Sequence, residues 1–577
     1  MADKATRLIQ IPDPVHGYIP VEPRFMDIVD TPEFQRLRSI EQGSFRPIFP
    51  GARHDRFLHS LGTLHLATCF VDAFFENLKE DVEGIELDGQ EVYDLKTTFR
   101  YAALLHDVGH APFSHTTEVL FKENLDDSGL PRIWTQLCDA VEAVAPDRRA
   151  LWQARKETVG APHEIMSALL LIRDRDKFLT GKKWEDVTVD LELAARMVIG
   201  YQYSGKDPNA PADPKARRAL GIRNCLIQLL NSKVMDVDRL DYLGRDTRMS
   251  GYVNAPLDLD KLAQSVTAVE EDGWLKPAFR SGALSAIETM FHAKLSPDAW
   301  VLGHPAGGYD MELRRHCIRQ LNRNLGGRYI PKVFCVEAMG QEGVTLDGKT
   351  YRLLCDADII TDIKAMNEKE CNELFTRQLG HRRTACWGSY YEFRYLFSDP
   401  VTAPAVKGVR GFLAPLFGRH KKKPLTPEFV YSFFAPLMKY LSKNHIFAFT
   451  QEVYTNILGD DSDTAVAARK AAGLLHEFLY EQQRSGKHPD KPYSAVLLDK
   501  EICFTLKLDP RDIRILFTKK SFPKRDKSVN WTTYGALRNI SRDDNRADNY
   551  FYLFRHGGLG SNQLKALCDR LREAANA

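Results

Sequence analysis

Apolar residues recur every three or four positions through the first half of the chain. The stretches "PEFQRLRSI", "SLGTLHLATCFVDAFFENL", "TTFRYAALLHDVG", "HEIMSALLLIRD" and "IRNCLIQLLNSKVMDVDRLDYLGRD" all follow this spacing, which gathers the apolar side chains on one face of an α-helix. Such a run of helices predicts a bundle that continues through Leu321. Within it, "YQYSGKDPNAPADPKARRA" (Tyr201 to Ala219) is rich in Pro, Gly and charge and reads as a surface insertion. Beyond Arg328 the texture changes: "KVFCVEAM" and "VTLDGKTYRLL" are β-rich, and Asp347-Gly348 is a hairpin turn signal. "SAVLLD", "EICFTLKL" and "DIRILFT" are further strand candidates, set apart from the first by the helical pattern "DTAVAARKAAGLLHEFLYEQQ". The expected fold is mainly α, a helical bundle over residues 1–328 followed by a C-terminal α+β region over 329–577. No internal repeat is evident.

Length agrees with two regions, since 577 residues exceed what one hydrophobic core usually supports. Charge narrows the partners. With 79 basic and 77 acidic residues the net charge is +2, so the whole molecule has no field that would gather nucleic acid. The loop "GRHKKKPLTP" (Gly418 to Pro427) is basic but reads as a solvated connection. Met1 to Gln10 lacks the apolar stretch of a signal peptide, and no run of about 18 apolar residues occurs; a soluble, cytoplasmic protein without membrane contact is expected. The ten cysteines, from Cys69 to Cys568, form no C-x-x-C pair and are expected to be reduced, mostly buried thiols.

Candidate chemistry lies in the helical half. Divalent metals are held by imidazoles and carboxylates together, best from rigid elements. His59 sits in "RFLHSLGTLHLA", His106 and Asp107 are adjacent in "ALLHDVGHAPFSH", and Asp238 lies in "VMDVDRLDYLGRD". Neighbouring helical residues point about 100° apart, so His106 and Asp107 can flank one ion only from a helix end. His106, His110 and His115 fall within ten residues whose other members are mainly apolar, Gly or Pro, a density that packing alone does not call for.

The order H, then HD, then D, in "RFLHSLG", "LLHDVGHAPFSH" and "DVDRLDYLGRD", resembles the HD superfamily and within it the deoxynucleoside triphosphate triphosphohydrolases, the branch of bacterial dGTPases and the mammalian sterile-alpha-motif and HD-domain enzyme. "DPVHGYI" and "DTPEFQRLRSIEQ" fit the same pattern, so the resemblance runs from about Ile11 to about His304. It begins almost at residue 1, and no sterile-alpha-motif domain is expected.

The resemblance implies one divalent ion (Mn, Fe, Mg or Zn) on His59, His106, Asp107 and Asp238, and hydrolysis of a deoxynucleoside triphosphate to nucleoside and tripolyphosphate. It implies His115 as general acid for the leaving 5′ oxygen, oriented by Glu118, with His110 and His163 completing a basic pocket. Arg56, one helical turn before His59, together with Arg239 and Lys294, would hold phosphates. Gln42, Tyr242 and Asp246 match positions that hold the sugar. Gly43 stands where the mammalian relative has a larger apolar residue, and Trp300 and Leu302 replace polar or aromatic nucleotide contacts. Asp30, Gln35 and Arg38 match a regulatory guanine-nucleotide site, although Ile9 and Gln10 stand where a Lys is expected. A homo-oligomer, dimer or tetramer, is implied, with 329–577 in an oligomerisation or regulatory role.

Two alternatives stay open. One keeps the HD chemistry on a cyclic nucleotide, an oligonucleotide or a nucleoside monophosphate; such substrates need fewer cationic groups than Arg56, His115 and His163 supply. The other is a nucleotide- or nucleic-acid-binding regulator that grips phosphates through His420 to Lys423 and "TKKSFPKRDK" (Thr518 to Lys527).

Overall fold

The computed structural model describes residues 7–154, 159–205, 207, 213–232, 235–252, 257–297, 304–375, 383–398, 425–485, 492–503, 512–517, 531–537 and 547–576. The chain divides into two compact units. The first comprises residues 1–302, 317–367 and 505–545, the second 303–316, 368–504 and 546–577. Residues 329–367 and 505–545 thus group with the helical half, whereas the change of texture along the sequence predicts a single boundary at 328.

The spine of the first unit is the 26-residue helix α1 (Arg56–Asp81). The Asp55 side chain caps it by accepting from Leu58 N at 3.0 Å. Phe57, Leu61, Leu64, Phe70, Val71 and Phe74 are all buried along it, as expected of a helix enclosed by others. Helix α2 (Gly89–Leu105) packs on α1, and α3 (Pro162–Arg173), α4 (Leu191–Ile199), α5 (Pro214–Leu230) and α6 (Val237–Ser250) complete the bundle. Helix α6 opens on Asp236, which accepts from Arg239 N at 2.8 Å. It ends at Gly251, whose φ of +70° is the left-handed stop that glycine takes most easily.

The N-terminal hairpin, β1 (Ile9–Asp13) and β2 (Gly17–Val21), is antiparallel with Ile11 opposite Ile19. The bundle does not run unbroken to Leu321: β3 (Val266–Glu271) and β4 (Trp274–Arg280) form a hairpin across Asp272 and Gly273. Strand Arg514–Leu516, from the "DIRILFT" candidate, lies parallel to β4, and Trp531–Thr533 adds to its far edge. Asp347-Gly348 makes the expected turn between Val344–Leu346 and Lys349–Tyr351. "KVFCVEAM" departs from expectation, because Tyr329–Val333 and Val336–Met339 are short helices; its β-branched residues fill the core as helical side chains. The last residues of the supposed insertion at 201–219 already belong to α5.

The second unit pairs Ala547–Arg555 antiparallel with both Ala495–Cys503 and Thr384–Ala385. "SAVLLD" and the start of "EICFTLKL" are thus one strand. Helices Tyr390–Phe397, Pro427–Lys443, Gln451–Gly459, Asp463–Arg484 and Ser561–Asn576 accompany this sheet, an α+β composition. The described cysteines are free thiols, and no described helix is long and apolar enough to cross a membrane. Residues 418–424 and 518–527 lie outside the described residues.

Candidate metal centre and its histidine cluster

Helix α2 stops at Leu105, and the chain turns within four residues: Val108 N donates to Leu105 O and His110 N to Asp107 O. The turn can be this tight because Gly109 lies against α3. A Cβ there would stand 2.3 Å from Ser167 N, and Gly109 N itself donates to Ser167 Oγ at 2.9 Å. His106 and Asp107 therefore leave a helix end together, the condition for sharing one ion. His59 reaches the same point from the second turn of α1, and Asp238 from the first turn of α6. His59 Nε2 is 2.9 Å from Asp238 Oδ1 and 3.5 Å from Asp107 Oδ2, and His106 Nε2 is 3.5 Å from both Asp107 Oδ1 and Asp238 Oδ1.

The orientation of the two imidazoles tests whether this set suits a cation. His59 Nδ1 bonds Asp241 Oδ2 at 2.7 Å and His106 Nδ1 bonds Ala103 O at 2.9 Å. Both acceptors call for an Nδ1–H donor. The two Nε2 atoms then face each other at 3.3 Å, an approach that a shared cation relieves. Holding a ligand imidazole by its other nitrogen is a recurrent device of metal sites. The donor set of two imidazoles and two carboxylates suits a borderline divalent ion. Burial opposes charge on His59, yet the Asp238 and Asp241 carboxylates outweigh it and push its pKa up to about 10, so without an ion Nε2 carries a proton toward Asp238 that a cation would displace. Asp107 is held well below the usual carboxylate range: burial again opposes, and His106 and Arg56 prevail.

Beside this centre three further imidazoles meet. His110 and His163 stack with centroids 4.1 Å apart, and His115 stands edge-on to both at 5.0 Å. Glu118 binds two of them: His163 Nδ1 through a short contact with Oε2, and His115 Nδ1 at 3.2 Å from Oε1. His110 Nε2 lies 3.1 Å from Asp107 Oδ1 and joins the two groups. Against the cost of burial, the Glu118 charge raises the His163 pKa to about 9. His115 is half-exposed; crowding by the protein and the Arg56 charge lower its pKa despite Glu118. The segment is held under strain, with Phe113 and Ser114 at φ +62° and +52°. Asp356 accepts from Phe113 N at 2.7 Å and Glu41 N at 2.9 Å, and the buried Arg36 guanidinium donates to the carbonyls of Val108, His110 and Leu354.

Other expected residues hold different positions. Arg56 is buried, and each of its nitrogens has a protein partner: Nη1 on Asp107 Oδ2 at 2.7 Å, Nε on Ser114 Oγ at 2.9 Å, Nη2 on Gln42 O at 2.8 Å. These contacts make it a brace of the candidate metal centre, because one turn of helix aims it at Asp107. Arg239 is engaged by the Tyr242 hydroxyl, Asp236 and Ser232 O. Asp246 bonds His54 Nε2 at 2.8 Å, and Gln42 Oε1 is a buried acceptor. Lys294 lies on the helix Leu284–Pro297, its side chain outside the described residues, as are Trp300 and Leu302. Asp30 ends a short helix; Gln35 bonds Val29 O and Arg38, and Arg38 stacks 3.5 Å over Phe57. Sequence reasoning missed Asp241, His16, Arg245 and His54. The signal was there for Asp241, three residues after Asp238 and four before Arg245, and so on a shared helix face.

No protein-family model matches the chain. Among curated proteins it is similar to the deoxynucleoside triphosphate triphosphohydrolase SAMHD1 of Gallus gallus, 45% identical over 283 residues, 49% of this chain and 40% of the relative. The Homo sapiens protein of that name is 29% identical over 301 residues, 52% of this chain and 42% of the relative. The Dictyostelium discoideum homologue is 39% identical over 305 residues, 53% and 47% of the two chains. The chain spans less than half the length of these relatives. Over the portion they share, the similarities support the HD-domain triphosphohydrolase family that the motifs suggested.

Proposed function

We propose that this protein hydrolyses deoxynucleoside triphosphates to deoxynucleoside and tripolyphosphate. The observation that carries the reading is the meeting of His59, His106, Asp107 and Asp238 at one point, with the Glu118 histidines beside it. The names of the relatives support the substrate class. A divalent ion on those four residues would polarise the phosphoryl group and supply a nucleophile at neutral pH.

Everything else falls to the chain. Water attacks the α-phosphorus, the bond from phosphorus to the 5′ oxygen breaks, and that oxygen needs a proton. The resemblance gives this role to His115, whose pKa crowding and the Arg56 charge lower, whereas His163, raised to about 9 and tied to Glu118, keeps a proton at neutral pH. His163 is therefore the proposed general acid, with half-exposed His115 as its partner toward substrate and His110, whose pKa burial holds well below the usual range, as a neutral neighbour. Arg56, Arg239 and Lys294 are the proposed phosphate contacts, and Gln42, Tyr242 and Asp246 the sugar contacts. A regulatory guanine nucleotide on Asp30, Gln35 and Arg38, and a homo-oligomer, belong to the same reading. Hydrolysis rates with and without GTP, and the mass in solution, check these two.

The smaller HD substrates, cyclic nucleotides among them, are tested alongside. Purified protein is incubated with each dNTP and Mn²⁺ or Mg²⁺ and the products are weighed by mass spectrometry. Nucleoside plus tripolyphosphate is expected. Nucleoside monophosphate plus pyrophosphate, or turnover of cyclic nucleotides alone, would overturn the reading.

A further inference from the structure

We propose that Asp241 is the positioning residue that fixes the metal-facing nitrogen of His59, and that His16, at the N-terminal hairpin, acts on the same ligand through it. The inference rests on the reading of His59, His106, Asp107 and Asp238 as ligands of one ion. An imidazole ligates only through an unprotonated nitrogen, so whatever holds the proton on Nδ1 decides whether Nε2 can serve. Asp241 Oδ2, 2.7 Å from His59 Nδ1, is that group.

Asp241 is fully buried, and its charge must be matched inside the fold. Arg245 grips both oxygens, Nε to Oδ2 at 2.8 Å and Nη2 to Oδ1 at 2.9 Å, and His16 Nε2 approaches Oδ1 at 2.7 Å. The remaining Arg245 arm, Nη1, bonds Asp13 Oδ2 at 2.7 Å, while Asp13 Oδ1 accepts from Val15 N at 2.8 Å and His16 N at 2.9 Å. The circuit is closed: the residue that anchors Arg245 also fixes the backbone that presents His16.

Two features tie this circuit to the ligand rather than to general packing. Asp241 is three residues after Asp238 on α6, so one rigid helix supplies both a ligand and the group that orients another. On α1, one turn beyond His59, a Cβ on Gly62 would stand 1.9 Å from Asp241 Oδ1 and 2.4 Å from Arg245 Nη2. Residue 62 is glycine because the carboxylate comes this close to the helix that carries His59.

The test uses the full chain, stripped of metal by a chelator and titrated with Co²⁺ alone, with affinity read by calorimetry and geometry by the visible absorption band. Wild type binds and His106→Ala does not. His16→Leu weakens Co²⁺ about tenfold and Asp241→Ala up to about 100-fold, the range that loss of an outer partner of a ligand histidine produces, and both shift the visible band. His16→Gln, whose amide N–H can still donate to Asp241, regains affinity. If His16→Leu and Asp241→Ala melt lower but bind Co²⁺ as wild type does, the circuit is a core ion pair and the proposal is overturned. Should Asp241→Ala fail to fold, the contrast between His16→Leu and His16→Gln decides alone. Wild type that takes up no Co²⁺ overturns the metal reading itself, a result distinct from unchanged affinity in the variants.

Discussion

Two histidine clusters, fed by one stretch of ten residues, differ in how their rings are held. At the first, Nδ1 of His59 and of His106 is bound to an acceptor, and the Nε2 atoms converge at 3.3 Å. At the second, the rings stack and tilt around Glu118, which takes the Nδ1 atoms of His115 and His163. Carboxylates hold a proton on an imidazole in both clusters, but at the first a cation placed where the Nε2 atoms converge would displace it. The side chain is the same; the partner of its far nitrogen sets the chemistry.

The sharpest break between the clusters comes from His106→Ala or Asp107→Ala. Turnover of dNTP, followed as released tripolyphosphate, should fall on the order of 10³-fold or more, the several kcal/mol a Lewis acid contributes, and bound metal should be lost. His163→Ala should keep its metal yet lose about 10² to 10⁴ in kcat, the span for a general acid. In wild type kcat should decline as pH rises through about 9, where His163 gives up its proton. A decline near neutrality, removed by His115→Ala, would move the acid role to His115. Glu118→Gln should shift the alkaline limb down by roughly 1 to 3 units, since the neighbouring negative charge is gone.

Effects on stability are smaller. Gly109→Ala must push α3 away and should lower stability by about 1 to 3 kcal/mol, measured by denaturant unfolding. For the pair of His163 and Glu118 the pH window follows from the signs. His163 is raised, so its contribution is full below its ordinary 6.5 and is lost as pH climbs through about 9. Glu118 is depressed, so its contribution is present above its ordinary 4.5 and is lost only in acid. The melting temperature should therefore drop between pH 7 and 10, and Glu118→Gln should flatten that drop.

Much of this was readable in advance. Helical spacing located α1, α2, α3 and α6, and the H, HD, D order named four residues that do meet in space. Histidine density likewise pointed to His110 and His115. What escaped notice depends on approach between distant segments. His16 meets Asp241 across 225 residues, and nothing local to "DPVHGYI" announces it. Spacing gives Arg56 its turn of helix but not the neighbour its guanidinium meets, which is Asp107. "KVFCVEAM" is rich in β-formers yet helical, its propensity overridden by burial. The Gly62 and Gly109 contacts require knowing which helices touch.

The parallel strand Arg514–Leu516 bears on how this protein can be dissected. A fragment cut at residue 328 would contain every candidate ligand, and so look like a self-sufficient enzyme. It would nevertheless leave the outer side of β4 without its neighbour and remove Asp356, which ties Phe113 to Glu41. An unpaired strand edge invites association with other chains. The first compact unit is discontinuous along the chain, and a shortened version should be built by joining 1–367 to 505–545 rather than by stopping early.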